Sequence, residues 1–395
     1  MTEFYFACSR TMLRGRRGKG DALMADDIGR RSLLRASTTV LGSSLLATMG
    51  KRAIGGGLVA AGGLGLEKSA NASVSDPANP VYFTWSEDKL QISLVRFAEE
   101  LGYWANAGIR PKFVGEINAG QLPALVGSGD VTFASFMFNR ALAAVAHGVD
   151  LKVIAAQSYT TEDEPHMTYF TRADSTITVN NLQQLEGKVV GLSSLGGCAE
   201  FILKDLLTKN GVNLKKVKLL TQSESLLRQS LEYGTLELAV IHPPLNGVLR
   251  ADKSLKAAFS DYDNSQEEGG SAPISANGEF IRKYPAQTRE FVGILAKTAN
   301  WVNANPAKAL EISARVTHLP PQFVTKHYFV NNLILDEKQL QFWWQLYDRI
   351  GILTPDLAKL KPSDVATNEY NPLAPSAKLI PSQKENQKVL TSTDA

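Results

Sequence analysis

The chain has 395 residues, with 42 lysines and arginines against 39 aspartates and glutamates and a formal net charge of +3. Residues 1–72 contain eleven of the basic and five of the acidic residues, a net charge of +6. The rest of the chain therefore holds 31 basic and 34 acidic residues, a net charge of −3. Because the basic balance belongs to the N-terminal segment, the remainder gives no reason to expect binding to nucleic acid or to a membrane surface.

Residues 1–72 are predicted to be a leader rather than folded protein. Residues 29–35 (GRRSLLR) resemble a twin-arginine export signal, and residues 70–72 (ANA) fit a small-x-small cleavage site. We therefore expect a periplasmic protein, which would be tethered to the membrane if the leader stayed uncleaved. The alternatives are a basic, disordered tail and translation from Met24. Cleavage would remove Cys8 and exclude an intrachain disulfide.

After the leader, strand and helix patterns alternate in two series. The first series has strands predicted at 80–85, 112–116, 131–135 and 151–156, and helices at 90–104, 121–127 and 140–147. The second has strands at 169–172, 189–192, 217–220 and 238–241, and helices following residue 197, at 224–233 and from near residue 245. Residues 261–277 look polar and loop-like, and the chain beyond them reads as helical at 286–304, 306–316 and 337–350. This alternation predicts an α/β protein with mainly parallel sheets.

The turn at residues 193–197 (SSLGG) joins a buried strand to an amphipathic helix. Two hydroxyls and unhindered backbone N–H groups at a helix N-terminus suit a carboxylate, sulfonate or phosphate. The alternative is an ordinary strand-to-helix connection.

A weak internal repeat relates residues 127–135 (GSGDVTFAS) to residues 234–242 (GTLELAVIH). In both, a glycine is followed three residues later by an acid, then by a buried strand that ends in a polar residue. The repeat predicts that Ser135 and His242 end equivalent strands at the mouth between two lobes, where ligands lie in open α/β sheets. Chance similarity of two βα units is the alternative.

Five further segments follow one another in the chain: residues 98–109 (AEELGYWANAGI), 124–131 (ALVGSGDV), 182–191 (LQQLEGKVVG), 280–285 (FIRKYP) and 299–306 (ANWVNANP). In this order, and behind the predicted export signal, they resemble the SsuA/THI5-like (NMT1-like) family. That family includes substrate-binding components of ABC importers for aliphatic sulfonates, nitrate, taurine and thiamine precursors.

The resemblance implies a periplasmic-binding-protein type II fold of two α/β lobes. Lobe 1 would comprise residues 78–168 plus 274–375 and lobe 2 residues 169–273, followed by a polar tail at 376–395. The implied function is capture of a small sulfonate-, nitrate- or carboxylate-like or heteroaromatic ligand between the lobes. A monomer would deliver it to a membrane permease and, through it, to an ATPase; no cofactor and no nucleic acid are expected.

The expected ligand-binding residues lie at strand ends and in the turn. They are Trp85, Ser86, Ser135, Phe136, Gln157, Ser193, Ser194, Gly196, Gly197, Cys198 and His242. For Trp85 a place in the core, for Cys198 a small helix-start residue, and for His242 a structural cap are the alternatives. Tyr159 is a weaker candidate, and Arg140 is the nearest arginine for an anion clamp.

An enzyme is not expected, although the resemblance extends to a thiamine-pyrimidine synthase with a cysteine-rich segment. Here one cysteine follows the leader, His166, His242 and His318 lie far apart in the sequence, and no Cys/His spacing suits a metal. No nucleophile has a companion base motif. We therefore expect no catalytic residue and no metal ligand. A sensor domain that presents ligand to a receptor is a further alternative.

Overall fold

A computed structural model describes residues 81–87, 93–107, 109–266 and 271–380. The predicted leader and most of the polar tail lie outside these residues. The ten strands are β1 (Val81–Glu87), β2 (Ile109–Glu116), β3 (Phe133–Ser135), β4 (Leu151–Ser158), β5 (Thr168–Arg172), β6 (Val189–Leu192), β7 (Lys218–Thr221), β8 (Leu238–Ile241), β9 (Leu255–Ser260) and β10 (Ala272–Asn277).

Fourteen α-helical segments are found in the same part of the chain. They are α1 (Leu94–Glu100), α2 (Tyr103–Asn106), α3 (Leu122–Ser128), α4 (Phe138–Ala146), α5 (Cys198–Lys209), α6 (Glu224–Glu232), α7 (Leu245–Arg250), α8 (Tyr262–Ser265), α9 (Gly278–Lys283), α10 (Pro285–Ala304), α11 (Pro306–Thr317), α12 (Glu337–Arg349), α13 (Pro355–Lys359) and α14 (Pro362–Val365). None of the helices in the described residues is both long and apolar enough to cross a membrane.

The strands form two five-stranded sheets, one in each lobe. Lobe 1 has the strand order β2-β1-β3-β10-β4, and lobe 2 has the order β7-β6-β8-β5-β9. In lobe 1, β10 runs antiparallel to both of its neighbours, and in lobe 2 the same holds for β5. The other neighbouring strands pair in parallel. Each reversed strand is the one by which the chain enters from the other lobe, and the predicted fold of two α/β lobes is confirmed.

The interpretation of residues 261–277 as a loop is wrong for its second half. Residues 272–277 form β10, whose six side chains are all buried, and β9 had not been predicted either. The sequence of β10, APISAN, has small and polar residues because the strand lies inside a sheet and is hydrogen-bonded on both sides. Backbone pairing rather than a hydrophobic pattern decides its structure.

Asp261 links the two segments that cross between the lobes through hydrogen bonds. It follows β9, where the chain leaves lobe 2, and its carboxylate accepts from Thr160 Oγ1 at 2.6 Å and from the Met167 backbone N–H at 3.0 Å. Thr160 and Met167 belong to the segment by which the chain enters lobe 2. Asp261 is fully buried, and this burial raises its pKa to about 6 even though both hydrogen bonds act to lower the pKa.

The helix α12 contacts both lobes, although the resemblance implied that the C-terminal helices belong to lobe 1. It packs against α4 of lobe 1 and α5 of lobe 2. Its Arg349 makes two hydrogen bonds, of 2.7 and 3.0 Å, to the carboxylate of Asp205 on α5. Asp205 is fully buried, and bonds from Arg349 and Lys209 lower its pKa against the opposing effect of burial. The helix α12 therefore connects the two lobes by contacting both of them.

Candidate ligand-binding cleft

A cavity lies between the lobes at the carboxyl ends of the central strands. The space between its walls is about 980 Å³, including the part that is open to solvent. The strand ends predicted from the internal repeat meet here: Ser135 ends β3 and His242 follows β8, and these strands occupy the same position in the two sheets. Of the eleven expected residues, eight line this cavity: Ser135, Phe136, Gln157, Ser193, Ser194, Gly197, Cys198 and His242.

Trp85 and Ser86 lie elsewhere. Together with Ser135 and Gln157 they line a smaller cavity inside lobe 1. Trp85 packs against Phe113, with ring centroids 4.7 Å apart, and it belongs to the lobe 1 core. The Ser86 hydroxyl donates to the Gly115 carbonyl at 2.7 Å. The core alternative therefore describes the position of Trp85.

Two polar side chains of α4 in lobe 1 form hydrogen bonds with the SSLGG turn of lobe 2. Arg140 Nη2 donates to Ser194 Oγ at 3.3 Å, and Asn139 Nδ2 donates to the Gly196 carbonyl at 3.1 Å. A Cβ on Gly197 would lie 2.8 Å from Arg140 Nη2, so a glycine leaves room for the guanidinium there. Arg140, the arginine that the sequence analysis considered for an anion clamp, thus lies at the SSLGG turn.

The N-terminus of α5 is already partly occupied by a carboxylate of the protein. The Gly196 backbone N–H, in a left-handed turn with φ of 69°, donates to Glu200 Oε2 at 2.6 Å. Glu200 also pairs with Lys204, one turn further along the helix. Gly196 is exposed and does not line the cavity. The turn therefore differs from the predicted anion site in two ways. Its Gly196 N–H group is hydrogen-bonded to Glu200 of the protein itself. Its hydroxyls lie next to the cationic side chain of Arg140.

Three side chains that the sequence keeps apart meet on the lobe 2 wall. Cys198 Sγ lies 3.6 Å from His166 Nε2 and 3.6 Å from His242 Nε2. The two imidazole centroids are 5.0 Å apart at an interplanar angle of 76°. The expectation of no metal ligand rested on spacing along the chain, whereas the fold brings these three side chains together. We call these three residues the Cys-His cluster.

Glu224 holds His242 in place and was missed by the sequence analysis. Its Oε2 accepts from the His242 backbone N–H at 2.9 Å, and its Oε1 lies 2.6 Å from His242 Nδ1. Burial acts to lower the pKa of His242, but the Glu224 carboxylate and Cys198 raise it well above the ordinary value. Burial lowers the pKa of His166 well below its ordinary value, and His242 and His327 lower it further. Two histidines in contact thus favour opposite protonation states.

Residues 326–329 also line the cavity, and the sequence analysis did not predict that they would. The segment that includes them is fixed by backbone pairing to the end of β4: the Tyr159 N–H donates to the Tyr328 carbonyl, and the Val330 N–H donates to the Gln157 carbonyl. Burial lowers the pKa of His327 to about 4. The cavity residues that the sequence analysis did not select are Ala119, Met137, Ser158, Glu164, Pro165, His166, Ala199, Pro243, Lys326, His327, Tyr328 and Phe329.

A family model described as NMT1/THI5 like matches residues 90–309, which is more than half of the chain. The chain belongs to the NMT1/THI5-like family. No curated protein matches the chain.

Solved structures similar to this NMT1/THI5-like chain include three binding proteins. The alkanesulfonate-binding protein SsuA from Xanthomonas axonopodis pv. citri, bound to MOPS, is 18% identical with a TM-score of 0.56 and covers 70% of this chain and 96% of its own. The ligand-binding component of an ABC-type import system from Staphylococcus aureus, with zinc bound, is 12% identical with a TM-score of 0.62 and coverages of 75% and 99%. The periplasmic nitrate-binding protein NrtA from Synechocystis PCC 6803 is 11% identical with a TM-score of 0.59 and coverages of 73% and 86%. At these identities the likeness shows the fold.

Proposed function

We propose that the protein is the extracytoplasmic solute-binding component of an ABC importer. It captures a small solute between its two lobes and delivers it to a membrane permease. The observation that carries the proposal is the contact of Arg140 of lobe 1 with Ser194 of lobe 2, since both lobes contribute polar groups to one cavity. The resemblance of residues 29–35 to a twin-arginine export signal supports a periplasmic location. The proposed role is that of a binding protein rather than an enzyme.

An anion is the solute class that the cavity favours. The Arg140 guanidinium and the hydroxyls of Ser193 and Ser194 line the same cavity from opposite lobes, and a guanidinium binds carboxylate or sulfonate oxygens in pairs. Phe136 and Tyr159 give the cavity aromatic surface that suits the organic part of such a solute. The structural neighbours that bind an alkanesulfonate and nitrate support this class.

A thermal-shift screen of the full chain tests the proposal. The panel comprises MOPS, taurine, arylsulfonates, nitrate, aromatic carboxylates and pyrimidines. A solute at one hundred times its dissociation constant stabilises the fold by about 2.7 kcal/mol. Arg140→Ala should reduce the shift, whereas the matched control Arg110→Ala, an exposed arginine on β2, should leave it unchanged. A panel without any shift contradicts the proposed solute class.

A further inference from the structure

We propose that the Cys-His cluster is a binding site for a thiophilic divalent metal ion of the zinc type. Its three donor atoms are Cys198 Sγ, His166 Nε2 and His242 Nε2, all within 4.8 Å of one another. The ion would sit in the wall of the cleft. This inference does not rest on transport, and it holds whether or not the protein serves a permease.

Two of the three separations between the donor atoms agree with those around a tetrahedral ion. With Zn–S of about 2.3 Å and Zn–N of about 2.0–2.1 Å, sulfur and nitrogen ligands lie about 3.6 Å apart. Both Sγ–Nε2 distances of the cluster are 3.6 Å. A thiol activated as a nucleophile needs one base. Two imidazoles at equal distance from one sulfur are therefore explained better by coordination.

The surroundings of the cluster prepare its donors for an ion. His242 Nδ1 bonds to the buried Glu224 carboxylate, which directs Nε2 towards Cys198, as in the carboxylate–histidine–metal arrangement. Cys198 is the first residue of α5, so the start of a twelve-residue helix fixes the backbone position of the thiol. The three ligands come from the entry to β5, the start of α5 and the end of β8, so the folded lobe 2 assembles them.

A fourth coordination position would face the cavity. Cys198 and His166 are half-buried, and all three residues line the cavity. Three protein ligands with an open position are typical of metal sites that take water or a substrate atom. His327 borders the same space, and its Nε2 is buried without a hydrogen-bond partner among the residues that the structure describes. The open position therefore has room and a nearby polar group.

Cobalt(II) titration of the full chain carrying Cys8→Ser tests the site, because Cys198 is then its single thiol. We expect one Co²⁺ per chain, with a thiolate-to-cobalt charge-transfer band in the near ultraviolet and the intense visible bands of tetrahedral Co²⁺. Zn²⁺ should displace it. Cys198→Ser should abolish the charge-transfer band, and Glu224→Gln should weaken Co²⁺ binding about 10- to 100-fold.

Histidine variants separate the cluster from adventitious binding. His166→Ala and His242→Ala should each weaken Co²⁺ binding at least about tenfold, whereas His147→Ala, an exposed histidine at the end of α4, should leave it unchanged. Absence of the charge-transfer band in the parent chain overturns the proposal, as does its persistence at unchanged affinity in both cluster variants. Azide should shift the visible bands if the fourth position is open, and unchanged bands would overturn that part.

Discussion

The two walls of the cleft are built on sheets of the same strand order but carry different chemistry. The lobe 1 wall has Arg140 together with a neutral pair in which the Ser135 hydroxyl donates to Gln157. The lobe 2 wall has the Cys-His cluster, held by the buried Glu224. Both sets lie at the ends of central strands. Strand topology therefore determines which positions of the chain face the cleft, and the residue types at those positions determine the chemistry of each wall.

The two walls should also differ in how much their polar contacts contribute to the stability of the fold. On the lobe 1 side the Ser135–Gln157 hydrogen bond is also buried, but it joins two neutral side chains. On the lobe 2 side a carboxylate and an imidazole are buried together, with Glu224 and His242 only 4% and 8% exposed. Breaking a buried charged pair costs more than losing one neutral hydrogen bond. Substitutions in the lobe 2 wall should therefore have the larger effects.

Glu224→Ala should have the largest effect, a loss of about 3–5 kcal/mol in the free energy of unfolding, because it leaves His242 buried without its partner. Urea denaturation measures it. The matched control is Glu232→Ala at the exposed end of the same helix, which removes an ion pair with Arg228 worth about 0.5 kcal/mol. Equal losses in the two variants would contradict the assigned role of Glu224.

Asp261→Asn should reveal a pH dependence that belongs to the crossing segments. The folded pKa of about 6 lies above the ordinary 3.8, so this group stabilises the fold fully below about pH 3.8 and loses that contribution as the pH rises through about 6. Relative to the variant, the wild type should lose up to about 3 kcal/mol between about pH 4 and about pH 7. Urea unfolding across this range measures the difference, and a constant difference would contradict the raised pKa.

Asn139→Ala should have the smallest effect on stability, about 1 kcal/mol, because it removes one hydrogen bond between the lobes. Thermal unfolding compares it with Asn180→Ala, an exposed asparagine of lobe 2. A loss as large as that of Glu224→Ala would mean that the two walls do not differ as described.

Much of this arrangement could be predicted from local sequence. The strands β6 and β8 have the bounds that their apolar runs predicted, and the internal repeat correctly made Ser135 and His242 equivalent. The interior strand β10 was missed because its small and polar residues give no hydrophobic pattern. His166 and Glu224 were missed because their roles arise from contacts with residues 32 and 18 positions away. Such contacts exist only once the lobe has folded.

The central claim is that residues of both lobes bind the same anion. Comparing binding by variants of the two walls tests it most directly. Isothermal titration would use the anion that gives the largest thermal shift, with Arg140→Ala in lobe 1 and Ser193→Ala with Ser194→Ala in lobe 2. Each change should weaken binding by about 1–3 kcal/mol. Combined, they should cost less than the sum, because Arg140 donates to Ser194. Unchanged affinity in either variant would contradict a site shared between the lobes.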